Sequence, residues 1–159
     1  MRDGYTGKLL ELEYLGYCKD VLGNREFIAY MPFKDSVRNA MQRQPWEDPS
    51  DPAPRFASDL HCLLAEELGL DDYHDLEFYT SVGTSLDLYH GVDAFFRLKR
   101  GNTWMMVTMD LTMNPEKVEY KADVVVQYAL TDTVEKLKDM ARVILHEFQM
   151  KSAWTCVLQ

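Results

Sequence analysis

Residues Gly91–Thr112, GVDAFFRLKRGNTWMMVTMDLT, decide how the whole chain is read. Two apolar runs flank KRGN, where Gly101 and Asn102 suit a tight turn, so the stretch predicts an antiparallel hairpin. The upstream run extends back through LDLYH, which makes LDLYHGVDAFFRL a single long strand in this reading. Side chains alternate between the two faces of a strand. In TWMMVTMDLT, Met105, Val107, Met109 and Leu111 share one wholly apolar face. Trp104, Met106, Thr108, Asp110 and Thr112 share the other. In the preceding strand Val92, Ala94, Phe96 and Leu98 lie together, and Asp93 lies opposite them with Phe95. Each strand thus carries one aspartate on its less apolar face, and antiparallel pairing can bring those faces together. A buried carboxylate needs a compensating partner, and a metal ion is one such partner. The plainer alternative is a solvated strand face or a capping hydrogen bond.

Outward from the hairpin, ASDLHCLLAEELGL predicts a helix capped by Ser58 or Asp59 and stopped by Gly69. With Leu60 at zero on a helical wheel, Leu64 and Leu68 fall near about 40° and 80°, and Glu67 near about 340°, inside the apolar arc. Glu67 becomes a third acid facing the same layer; the competing reading is a helix-edge ion pair. DLEFYTSV predicts a strand before the hairpin, with Asp87 as a turn or edge residue and His90 as a hydrogen-bonded core or edge histidine. After the hairpin, MNPEKVEYK is a connector with room for a short helix, and ADVVVQYAL is a fourth strand. DTVEKLKDMARVILHEFQMK is the strongest helix, with Asp132 and Glu135 resembling a capping box. Its apolar stripe is Val134, Leu137, Met140, Ala141, Ile144 and Phe148. AWTCVL reads as a last strand.

The loop QPWEDPSDPAP, with four prolines and three acids, precludes regular structure. The organisation expected is one domain: an N-terminal extension over 1–43 packed on the core, a Pro-rich loop over 44–55, and a core over 56–159. In the extension, FKDSVRNAMQRQ is helical with Asp35 or Ser36 as cap, and KLLELEYLGYCKDVLG fits helix or strand. The fold class is mixed α/β, a central mixed sheet flanked by helices.

Composition narrows the function. A 159-residue chain with 47% hydrophobic residues can bury a sizeable core. Net charge is −9, so non-specific binding to phosphate backbones is not the default. Cys18, Cys62 and Cys156 fit no zinc spacing, and neither do the four histidines. No signal-peptide run and no stretch of about 18 apolar residues stands out, so a cytoplasmic protein with reduced thiols and no membrane contact is expected. No GxSxG, P-loop, GxGxxG or HExxH motif is present.

The three acids, with HGVDAFF and VTMDLT, resemble the PD-(D/E)XK nuclease superfamily. HGVDAFF looks like its second-strand motif with Asp93 in place. VTMDLT looks like its third-strand motif with Asp110 in place, and Glu67 matches the glutamate of its first helix. The resemblance implies a restriction-endonuclease-like core over roughly residues 56–158. It implies a metal-dependent nuclease acting on phosphodiester bonds of nucleic acid. Mg²⁺ or Mn²⁺ would be held by Glu67, Asp93 and Asp110. Thr112 stands where the family places its catalytic lysine, so Lys117 and Lys121, close downstream, are the candidates for that role beside Asp93 and Asp110. The missing lysine and the −9 charge also raise a second expectation, a non-catalytic protein of the same fold that binds or inhibits a protein partner.

Overall fold

A computed structural model describes residues 9, 11–19, 28–114, 116, 121–127 and 133–157, with side chains described through Ser152. The architecture is α+β. Residues 11–15 are helical, followed by α1 (Phe33–Gln42) and α2 (Arg55–Leu68). A 3-10 turn (Tyr73–Asp75) leads into β1 (Leu76–Thr80), α3 (Ser85–His90), β2 (Ala94–Arg100) and β3 (Thr103–Thr112). β4 (Val124–Gln127) and α4 (Val134–Val157) complete the order. The four strands lie in sequence order: β1–β2 and β2–β3 are antiparallel, and β3–β4 is parallel.

The hairpin forms where the sequence places it. Arg100 pairs with Thr103 across a two-residue turn, and Gly101 takes φ 62°, a conformation cheap only for glycine. The expected strand faces are also found. Ala94, Phe96, Leu98, Val107, Met109 and Leu111 join Phe78, Val126, Ile144 and Phe148 in one core beneath α2 and α4. The opposite face carries Tyr79 and Phe95 against Leu86, Val92 and Ala40 from the α1–α3 layer. The sheet is covered on both faces near the Asp93 end, so Asp93, Phe95, Thr108 and Asp110 on its more polar side are buried as well.

Four expectations are corrected. LDLYH is helix rather than strand: α3 ends at Gly91, whose φ of 66° stops it in a left-handed cap. AWTCVL forms no last strand, because α4 runs unbroken to Val157; the parallel strand β4 precedes the last helix. Neither predicted side-chain cap operates on α1 or α2. α1 starts after Pro32 and α2 after Pro54, where a ring-fixed φ presets the first turn. Ser36, inside α1, bonds the Met31 carbonyl and Ser85 Oγ instead. Asp132 and most of the connector MNPEKVEYK lie outside the described residues. Thr133 Oγ1 accepts the Lys136 amide at 3.2 Å, as a helix-capping hydroxyl does.

The described N-terminal residues enter the fold rather than decorate it. Leu15 is buried in the main core with Tyr14 and Leu12 beside it, and Tyr14 stacks on Phe56 at 4.8 Å. The Pro-rich loop shields β1, an edge strand whose open backbone would otherwise invite pairing. Phe78 N donates to the Pro49 carbonyl at 2.8 Å. The Gln44 side chain accepts from Thr80 N at 2.9 Å and donates to Thr80 O at 2.8 Å, mimicking a strand neighbour. Thr80 is fully buried, so Gln44→Ala leaves two backbone groups without these partners. The expected cost is about 1–3 kcal/mol. A lowered urea midpoint checks this; an unchanged midpoint would show that water replaces the amide.

Candidate functional site

Continuing the β2–β3 register one step beyond Ala94–Met109 sets Asp93 opposite Asp110. Both are buried, at 3% and 8% exposure. Their carboxyls are hydrogen-bonded to each other, and Asp93 Oδ2 also accepts the Leu111 amide at 2.8 Å. Two further acids join Asp93. Asp87 sits in the first turn of α3, where its Oδ2 accepts the Gly83 amide at 2.9 Å. Glu11 projects from the N-terminal helical residues. One carboxylate oxygen from each of Glu11, Asp87 and Asp93 lies within 4.8 Å of the other two.

Four carboxyl groups in one place repel one another when ionised. Burial pushes the Asp93 carboxyl up to about 10, helped by the Asp110 hydrogen bond and by the charges of Glu11 and Asp87. Without a cation, Asp93 holds a proton at neutral pH. The donor set is all carboxylate oxygen, hard and negatively charged. That composition fits Mg²⁺ or Mn²⁺ and offers nothing to metals that favour nitrogen or sulfur. These residues can hold such an ion.

Glu67 takes no part in this group. Its Oε1 lies 3.6 Å from Arg142 Nε of α4, on the exposed rim of α2. It lines a cavity with Arg100, at the far end of β2 from Asp93. The rise along a strand makes that separation about 20 Å. The wheel gives an angle but not a height: Glu67 lies in angle between buried Phe56 and Leu60, but the buried residues of α2 end at Ala65, and Glu67 follows in the last turn beside Arg142. The buried His61 is a core histidine: Nε2 lies 2.7 Å from the Leu76 carbonyl, and burial lowers its proton affinity.

The lysine candidates divide. Lys117 lies outside the described residues. Lys121 is exposed, with Nζ 3.4 Å from the Tyr89 carbonyl at the C-terminal end of α3, the helix that carries Asp87. Thr112 ends β3 and its Oγ1 accepts the Asn114 amide at 3.1 Å. Another lysine, which the motif reading did not single out, is tied to the same sheet. Lys151 of α4 donates to Asp123 Oδ2 at 2.8 Å and to the Met106 carbonyl at 2.7 Å. Asp123 in turn accepts from the Thr108 amide and hydroxyl. This junction fixes β3 two residues from Asp110.

Glu11 and Asp87 went unread for different reasons. Glu11 lies in a segment whose periodicity fits helix and strand alike. Asp87 was hidden by the alternation of LDLYHGVDAFF. A signal was present: Thr84-Ser85-Leu86-Asp87 followed by Gly91 has the start and stop of a short helix.

Comparisons of the chain with protein-family models, curated proteins and solved structures give no match. Among the described residues, no helix is long and apolar enough to cross a membrane.

Proposed function

We propose that this protein is a divalent-cation-dependent phosphodiesterase acting on nucleic acid, with Mg²⁺ or Mn²⁺ held by Glu11, Asp87 and Asp93. The observation that carries the reading is the convergence of these three carboxylates within 4.8 Å, with the buried Asp93 also bonded to Asp110. Four acids gathered on elements otherwise built for burial cost stability unless a positive charge joins them.

The roles follow from positions. Gly83 N and Leu111 N each hold one oxygen of Asp87 and Asp93, so the carboxylates are oriented before any ion arrives. Asp110 supports Asp93 from the facing strand. When bound, the ion supplies acidification of a water and stabilisation of charge on a phosphodiester. Lys121, whose Nζ lies 3.4 Å from the Tyr89 carbonyl at the end of α3, is the cation that would meet a phosphate.

The test is cleavage of labelled DNA and RNA in Mg²⁺, Mn²⁺ or EDTA, with wild type and Asp93→Asn. Cleavage that needs metal and disappears in the variant is expected. Equal cleavage by the two proteins would overturn the proposal. A second reading, a non-catalytic protein-binding module, is favoured by Thr112 at the lysine position. It predicts metal binding by calorimetry without turnover of any of these substrates.

A further inference from the structure

The face formed by α1 and α3 carries exposed rings together with basic side chains. In a chain of net charge −9, this face gathers exposed rings and cations. Tyr30, Phe33 and Tyr89 are 62%, 40% and 43% exposed and lie together. They are also held rigidly. Tyr30 meets Tyr89 edge-on at 5.5 Å, and the His90 ring lies 5.6 Å from both Tyr30 and Phe33. The Tyr89 hydroxyl donates to the Ile28 carbonyl at 2.8 Å, and Met31 N donates to Ser85 Oγ at 3.1 Å. A fixed ring loses little entropy when a base stacks on it.

Phe33 continues into a groove of about 500 Å³ between α1 and the sheet. Lys34, Arg38 and Arg97 line it above an apolar floor that includes Met41 and Met106. Arg97 is offset by Glu77 at 3.1 Å and Asp35 stands one helical turn before Arg38, so three cations against two acids leave this groove with one surplus positive charge. Tyr89 follows Asp87 by two residues on α3, so the two side chains leave the helix on different sides, and Lys121 Nζ lies 3.4 Å from the Tyr89 carbonyl. Cations interleaved with accessible rings are what a strand of unpaired bases requires: phosphates track the charges and bases stack on the rings. Paired bases keep their faces inside the duplex and cannot use the rings.

Resting on the phosphodiesterase reading, we propose that the Tyr30–Phe33–Tyr89 face, with Lys34 and Arg38, binds single-stranded nucleic acid. The test is fluorescence anisotropy of labelled oligo-dT and of a duplex of equal length, in EDTA so that binding is read without cleavage. Wild type is expected to bind the single strand more tightly than the duplex. Tyr30→Ala with Tyr89→Ala should weaken binding by on the order of 10-fold or more. Lys34→Glu with Arg38→Glu should weaken it and flatten its salt dependence. Thermal melts confirm that the surface variants fold. Because binding is read in EDTA, a failed cleavage test leaves this result readable. No binding by wild type, tighter binding of the duplex, or unchanged binding by both double variants would overturn the proposal.

Discussion

Metal-free protein is expected to lose stability steadily as pH rises from about 4 toward about 10, and Asp93→Asn to abolish much of that loss. The sign follows from the Asp93 carboxyl, whose ordinary value of 3.8 is raised to about 10 in the fold, first by burial and then by Asp110, Glu11 and Asp87. Below 3.8 the carboxyl is protonated in both states, and its contribution to stability is complete. Above it the unfolded chain releases the proton freely while the folded chain retains it. The unfolded state is therefore favoured by up to about 1.4 kcal/mol for each pH unit, until the folded group ionises as well. An asparagine keeps the shape and an acceptor for Leu111 N but cannot ionise. Thermal melts in EDTA at pH 5, 7 and 9 measure the effect: wild type should fall with pH, and the variant should overtake it. Mg²⁺ should raise the wild-type melting temperature most at high pH and barely move the variant. Parallel curves for the two proteins in EDTA would mean that Asp93 is stabilised as an anion by groups other than a metal.

The same residue shows how far the sequence could be read. The β2–β3 hairpin was legible because its apolar faces and its Gly101–Asn102 turn agree. Its exact register was not, and it is the Ala94–Met109 pairing in the structure that sets Asp93 opposite Asp110. The covering elements were less legible. α3 is six residues long, too short for a 3.6-residue period to outvote the alternation of LDLYHGV. The last residues of α4 carry β-favouring Trp154, Thr155 and Val157, yet they continue a helix whose stripe already packs on the sheet; tertiary context overrides weak propensity. The candidate site combines both cases. Two of its four acids lie on the legible hairpin, and the other two lie on the short helix and the N-terminal segment.

That division sets up the sharper discrimination, between Glu11 and Glu67. Glu11→Gln is expected to weaken Mn²⁺ and Mg²⁺ binding by on the order of 100-fold, while Glu67→Gln changes it by less than about 2-fold. Glu11 contributes one of three convergent carboxylate oxygens, so its amide substitution removes a charge that the ion would meet directly. Glu67 faces Arg142 at 3.6 Å on a side chain that is 30% exposed, and sits at the opposite end of β2. Screening by water makes that pair a small term for stability and a negligible one for an ion about 20 Å away. Calorimetric titration of the two variants separates the cases. The reverse ranking would mean that α2, not the N-terminal segment, supplies the helix carboxylate. Loss of binding in both would point to an ion that couples to the fold as a whole rather than to this cluster. Glu11 also changes what the N-terminal segment is for. Leu15 and Tyr14 bury their side chains in the main core, and that packing places the carboxylate of Glu11 against Asp93. A chain cut before residue 28 would lose both, so its failure to bind metal should come with a loss of cooperative unfolding, whereas Glu11→Gln should lose the metal alone.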